Sequence, residues 1–111
     1  MNKLILIFLC TLSGSALAAN KDSPNRYVNQ ISVWGHSGDI LVQTYPRHAI
    51  EGLQCTDDYW LRLNKSDEGF QSMLSMLIAA QMADKPILIR AEDDGDGNQP
   101  YCRLQRIISS R

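Results

Sequence analysis

The chain has 111 residues, of which 11 are basic and 12 acidic, so its formal net charge is −1. A length of this order suits a single domain. The near balance of charge excludes the strongly basic surface with which proteins bind nucleic acid or anionic lipid.

Residues 1–18 have the pattern of an export signal. Lys3 supplies the positive start, residues 4–12 an apolar core, and Ala16 and Ala18 a small-residue cleavage motif. The alternative, a membrane anchor, needs an apolar run of about 20 residues, and this run is much shorter. We therefore predict a cleaved signal peptide, with residues 19–111 forming one small domain that is periplasmic or secreted and not inserted in a membrane.

Two cysteines, Cys55 and Cys102, would remain after removal of the signal, which carries Cys10. Exported proteins meet oxidising conditions, in which such a pair usually forms a disulfide. Neither cysteine has a second cysteine or a histidine at the spacing of metal ligands, so metal binding is the weaker alternative. We predict a bridge between them.

Alternating apolar and polar residues predict a β-hairpin after a polar lead-in at residues 20–26. Its strands are residues 27–34 and 40–45, and the turn between them contains two glycines. The side chains predicted to share one face of the first strand are Tyr27, Asn29, Ile31 and Val33. An exposed loop at residues 46–54 follows the hairpin.

A third strand is predicted at residues 59–63, with Tyr59, Leu61 and Leu63 on its inner face. An amphipathic helix follows. Ser66 suits its N-cap, and Pro86 ends it because the residue before proline avoids the α region. The apolar stripe predicted to face the sheet comprises Phe70, Met73, Leu74, Leu77, Ile78 and Met82.

Two more strands are predicted, at residues 87–91 and 102–108, with an acidic loop at residues 92–100 between them. The resulting order is β-β-β-α-β-β. Strands grouped around one helix indicate an α+β or mainly β fold. We expect either a five-stranded antiparallel sheet covered by the helix or a small barrel like the oligosaccharide/oligonucleotide-binding (OB) fold.

The acidic loop resembles the start of a calcium loop, with oxygen ligands on alternate residues Glu92, Asp94 and Asp96. Arg103 stands where such a loop needs its closing bidentate acid. We therefore interpret the segment as a solvated turn and predict no metal site.

Catalytic patterns are missing from the sequence. His36 and His48 lie in predicted loops, without an acid or a cysteine at ligand spacing. The sequence contains no paired carboxylates on rigid elements, phosphate-binding glycine loop, nucleophile elbow or cofactor motif. We predict no catalytic residue and no cofactor, and hence a protein that is not an enzyme.

Aromatic and cationic side chains outside the predicted core are the candidate binding residues. Tryptophan, tyrosine and arginine are enriched at binding hot spots because they present large, rigid, amphipathic area. The candidates are Trp34, Tyr45, Trp60 and Arg62, with Tyr101, Gln30, Gln43 and Arg90 as further members. The surface suits a glycan or a protein partner. Alternatively, Trp34 or Trp60 fills the core, or a sheet edge or the helix alanines form a homo-oligomer.

Several of these features resemble small secreted proteobacterial proteins related to the B subunits of subtilase-type AB5 toxins. They are the export signal, the hairpin around Ile40, the two cysteines, and the helix-to-strand passage from Leu77 to Arg90. The resemblance implies an OB-type barrel, assembly as a pentamer and binding of cell-surface glycans without catalysis. The family's glycan-contacting serine motif matches no residue of this chain, so the resemblance assigns no binding residue.

The sequence therefore predicts an exported, non-catalytic binding module, glycan-binding as in those B subunits or acting as a stand-alone secreted protein. The alternative is a periplasmic inhibitor or immunity-type protein. Such a protein would block a partner enzyme by inserting a loop, at residues 46–54 or 92–100.

Overall fold

The predicted order of strands and helix is confirmed by a computed structural model, which describes residues 19–93 and 100–111. The signal predicted at residues 1–18 lies outside the described residues. The elements of the described part are β1 (Asn20–Val33), β2 (Ile40–Tyr45), β3 (Asp57–Leu63), α1 (Phe70–Ala83), β4 (Ile87–Glu92) and β5 (Tyr101–Ile108).

The strands form a closed barrel in the order β1-β2-β3-β5-β4. Of the two architectures predicted, the OB-like barrel is thus the one found. The long strand β1 is shared: its first half pairs with β4, from Asn20 opposite Glu92, and its second half pairs with β2, ending with Val33 opposite Ile40. Four pairings are antiparallel and the β3–β5 pairing is parallel. An odd number of strands cannot alternate in direction all the way around a barrel, so one parallel pair is required.

The predicted faces of β1 are only partly correct because a bulge changes their phase. The register shifts between Val28 and Gln30, which leaves Asn29 outside the regular pairing. Val28 and Ile31, predicted on opposite faces, consequently both pack in or against the core, while Tyr27 and Val33 are 40% and 62% exposed. One extra residue is enough to exchange the two faces of a strand. The predicted lead-in also belongs to this strand.

Branched aliphatic side chains from all five strands fill the barrel. They are Val28, Ile40, Val42, Leu61, Leu63, Ile87, Ile89, Leu104 and Ile107. Helix α1 packs on this core through Phe70, Leu77 and Ala80. The predicted stripe is therefore only partly correct, since Ile78 and Met82 are 42% and 82% exposed. The buried face of α1 is rotated toward Met76 and Ala80.

The predicted start of the helix at Ser66 is also wrong. Helix α1 begins at Phe70 after Gly69, with no side-chain cap and no acid in its first turn. Asp67 is used differently: its carboxylate accepts a hydrogen bond from the Asn64 amide at 3.2 Å and forms an ion pair with Arg103 at 3.1 Å. The segment before the helix is thus a separate turn.

The predicted disulfide between Cys55 and Cys102 is confirmed, and both cysteines are buried. It joins the end of the β2–β3 loop to β5. The same junction is held by the Pro100 carbonyl, which accepts hydrogen bonds from the amides of Thr56 at 3.0 Å and Asp57 at 2.8 Å. Within residues 19–93 and 100–111, no helix has the length and apolar character needed to span a membrane.

Candidate functional site

A cleft of about 280 Å³ opens on the outer surface of the barrel beside the β1–β2 turn. The cleft is lined by Trp34, His36, Ser37, Asp39, Leu41, Arg62 and Tyr101. Leu41 on β2 and Arg62 on β3 are paired in the strand register. Their neighbours along each strand point into the barrel, so Leu41 and Arg62 point outward. The cleft is therefore built on the β2–β3 face and closed at one end by the hairpin turn.

The hairpin turn holds Trp34 and Asp39 side by side. The Trp34 amide donates to the Asp39 carbonyl at 2.9 Å, and the Gly38 amide donates to the Trp34 carbonyl at 2.8 Å. Gly38 has a φ of +79°, a conformation that glycine adopts at little energetic cost. The Trp34 and His36 rings are nearly perpendicular, with their centres 5.8 Å apart, and Trp34 is 49% exposed. The turn thus presents an indole to solvent at the rim of the cleft.

Asp39 fixes the cation of the cleft. One of its carboxylate oxygens accepts a hydrogen bond from the Lys65 amide at 2.9 Å, and the other pairs with the Arg62 guanidinium at 2.9 Å. The Lys65 amide, followed by the Arg62 guanidinium, lowers the pKa of Asp39 below its ordinary value. Asp39 is therefore a carboxylate at neutral pH. Both of its oxygens are engaged, so it orients Arg62 instead of acting as a proton donor.

The cleft combines aromatic surface with fixed polar groups. Trp34 and Tyr101 supply rings, while Arg62, Asp39 and Ser37 supply hydrogen-bond donors and acceptors. Ligands with both an apolar face and a rim of hydroxyl groups suit such a mixture of groups. Within the described part of the chain, no three His, Cys, Asp or Glu side chains are grouped so as to hold a metal ion.

The structure brings together only some of the predicted binding residues. Trp34, Arg62 and Tyr101 share the cleft. Trp60 is half-buried two residues before Arg62 on β3, outside the cleft lining. Tyr45 is 69% exposed at the far end of β2, opposite Tyr27, about 17 Å along the strand from the hairpin turn. Tyr45 therefore does not belong to this site.

A second aromatic cluster, which we call the Tyr59 cluster, lies farther along β3 and consists of Gln30, Arg47, Asp58, Tyr59 and Trp60. The rings of Tyr59 and Trp60 meet edge to face at 5.0 Å, and the Arg47 guanidinium lies 5.2 Å from the centre of the Tyr59 ring. Gln30 donates to the Tyr59 hydroxyl at 3.4 Å, and Arg47 pairs with Asp58 at 3.3 Å. The sequence predicted Tyr59 on the inner face of β3. It is only half-buried, because the pairing of β3 with β5 is irregular between Asp57 and Leu61.

Three charged residues of these two sites were not identified by the sequence analysis: Asp39, Arg47 and Asp58. The hairpin could have indicated Asp39, since a strand pair ending with Val33 opposite Ile40 places the next pair, Trp34 and Asp39, together. No local signal could have indicated Arg47, because its contacts come from β3.

His48 was predicted to be exposed in a loop, and this prediction is wrong. The side chain is 2% exposed, and neither ring nitrogen has a hydrogen-bond partner among the described residues. Burial lowers the pKa of His48. The backbone of Asp57 and the carboxylate of Asp58 oppose this shift, although the Asp57 backbone is not placed to form a hydrogen bond with the ring. The loop around His48 is anchored by the Ala49 amide, which donates to the buried Ser23 hydroxyl at 2.8 Å.

The acidic loop is described only at its ends. Glu92 ends β4, and Asp93 is buried, with its carboxylate accepting hydrogen bonds from the amides of Gln54 at 2.7 Å and Ala19 at 3.4 Å. Residues 94–99, which carry the calcium-like pattern, lie outside the described residues. Asp93 thus ties β4 to the β2–β3 loop.

Comparison of the chain with models of protein families gives no match, and comparison with curated proteins finds none of significant similarity. The assignment of a function therefore depends on the cleft and its surroundings.

Proposed function

We propose that this protein is an exported, non-catalytic carbohydrate-binding module and that the cleft between the β1–β2 turn and β3 receives the sugar. The observation that carries the proposal is the position of the cleft. OB barrels bind oligosaccharides and oligonucleotides on the face of strands 2 and 3, next to the β1–β2 and β4–β5 loops. Here Leu41 and Arg62 lie on that face, Trp34 borders it from the β1–β2 turn, and Tyr101 borders it from the start of β5.

The chemistry of the lining supports a sugar over a nucleic acid. Aromatic rings stack on the apolar face of a pyranose, and the Arg62–Asp39 pair offers directed hydrogen bonds to its hydroxyl groups. A nucleic acid needs several cations that are free to neutralise phosphates. The cation of this cleft is already paired with a carboxylate held in its charged form.

The state of Asp39 supports binding without catalysis. A hydrolase of glycosides needs two carboxyl groups, one of which has a raised pKa and donates a proton. Asp39 has a lowered pKa, and both of its oxygens are engaged. The confirmed disulfide supports export, since such bonds persist mainly in oxidising compartments.

Pentameric assembly, as in subtilase-toxin B subunits, remains part of the proposal. Light scattering on the purified protein measures the molecular mass in solution. A pentamer supports the toxin-like form of the proposal, and a monomer supports a stand-alone binding protein.

The alternative of an enzyme inhibitor has less support from the geometry. The loop at residues 46–54 was one of its two candidate inserting segments, but this loop is held against the barrel by Ser23 and the buried His48. A pull-down from periplasm and culture medium tests the alternative, which requires one enzyme partner in stoichiometric amount.

A glycan array probed with the disulfide-bonded protein tests the proposed function. We expect binding that is lost in Trp34→Ala and Arg62→Ala and kept in Tyr45→Ala, a matched control because Tyr45 is exposed and distant from the cleft. Circular dichroism establishes that each variant is folded. Absence of any glycan signal from folded protein, or equal loss in Tyr45→Ala, would contradict the proposal.

A further inference from the structure

The cleft and the Tyr59 cluster lie on neighbouring parts of one strand. Leu41 lines the cleft, and Gln43 follows it by two residues on β2, opposite Gln30 of β1, so the Leu41 and Gln30 side chains lie on the same face of the sheet. Gln30 donates to the Tyr59 hydroxyl at 3.4 Å, and the Tyr59 ring contacts Trp60 and lies beneath Arg47. The Tyr59 cluster is therefore reached from the same face of the sheet as the cleft.

The groups of the Tyr59 cluster repeat the chemistry of the cleft. Each site has an aromatic ring that is at least partly exposed, an arginine paired with a carboxylate, and further polar groups. In the cleft these are Trp34 with the Arg62–Asp39 pair, and in the cluster Tyr59 with the Arg47–Asp58 pair and the Gln30 amide. Exposed ion pairs of this kind contribute little to folding stability, so stability alone does not account for the second set.

Each of the two sites contains one arginine–carboxylate pair. Arg62 pairs with Asp39 at 2.9 Å and Arg47 with Asp58 at 3.3 Å, so each arginine is matched by a carboxylate. A ligand with its own carboxylate would have to approach two fixed aspartates as closely as the two arginines. The balance therefore favours an uncharged sugar chain over a sialylated one.

We infer that the cleft and the Tyr59 cluster form one groove along β3 that binds a neutral oligosaccharide, with one ring in the cleft and a later ring against Tyr59. The inference rests on the proposed function and adds to it the ligand's length and charge. A single sugar would occupy the cleft alone, and longer chains would bind more tightly because they also reach Tyr59 and Arg47.

The test uses an array of neutral oligosaccharides with one to six rings, together with sialylated versions of the same chains. We expect the affinity to rise with chain length and to be higher for the neutral member of each pair. Tyr59→Ala and Arg47→Ala should each lower the affinity for the long chains by about 3- to 10-fold, the range expected for one aromatic or cation–π contact. Binding of the shortest ligand should not change in either variant.

Arg47→Ala keeps the test informative if Tyr59→Ala does not fold, since the Arg47 side chain is 58% exposed. Tyr45→Ala is the matched control for the tyrosine. If wild-type protein binds glycans but affinity is independent of length, or if Arg47→Ala has no effect, the groove is refuted and the cleft proposal stands. Preference for the sialylated chains refutes the neutral ligand. If wild-type protein binds no glycan, the proposed function fails, and the groove fails with it.

Discussion

Removing the disulfide should destabilise the protein by an amount that can be calculated from the structure. Cys55 and Cys102 are 47 residues apart in sequence, and the double variant Cys55→Ala/Cys102→Ala opens that loop. In the chain-entropy model, a loop of this length restricts the unfolded chain by about 4 kcal/mol at 25 °C. For the domain predicted at residues 19–111, which would have 93 residues, the corresponding fall in Tm is about 20 °C.

Urea unfolding followed by circular dichroism measures this loss. Wild-type protein reduced with a dithiol is the matched control, since it lacks the bridge but keeps both cysteines. We expect the variant and the reduced protein to lose similar stability. A loss below about 1 kcal/mol in both would refute the reasoning, because it would mean that the hydrogen bonds to the Pro100 carbonyl hold the junction without the bridge.

Three further predictions concern His48, the hairpin turn and the helix. Burial lowers the pKa of His48, so as the pH falls the unfolded chain binds a proton at this residue before the folded chain does. The free energy of unfolding should therefore decrease as the pH drops below about 6.5. Urea unfolding at a series of pH values measures this dependence, which should be weaker in His48→Phe. Gly38→Ala should lower the free energy of unfolding by about 1 kcal/mol because the residue has a positive φ. Gly35→Ala is the control in the same assay and should lower it by less than about 0.5 kcal/mol, since the added methyl meets no neighbour within 4 Å. Leu77→Ala should cost about 2–5 kcal/mol and Met82→Ala less than about 0.5 kcal/mol; equal losses would contradict the orientation of α1.

The parts of the fold predicted from the sequence are those that local patterns determine. Hydrophobic periodicity and turn residues predicted the order of the elements and the hairpin around Gly38. The N-terminal pattern predicted export to an oxidising compartment, and this in turn predicted the disulfide between Cys55 and Cys102. Closure of the barrel was only one of two alternatives. It depends on β1 pairing with two strands, and strand pairing over such distances leaves no local signature.

Two of the errors have a common physical origin in irregular backbone. The bulge at Asn29 shifts the alternation of side chains within β1, and the pairing of β3 is irregular near Tyr59, whose ring is only half-buried. His48 was placed in solvent because loops are usually exposed. Part of the candidate site was predicted, because the side-chain types of Trp34 and Arg62 mark them as binding residues. Their contact with Asp39 could not be predicted, since it depends on the register of three strands.

The parallel pairing of β3 with β5 has a consequence for how the chain reaches its native state. Until β5 is in place, β3 and β4 each present an open row of backbone hydrogen-bonding groups, and such rows pair readily with other chains. The contacts that close the barrel join strands distant in sequence, a topology associated with slow folding. Variants that weaken the pairing of β5 should therefore aggregate during refolding more than their loss of native stability alone would explain.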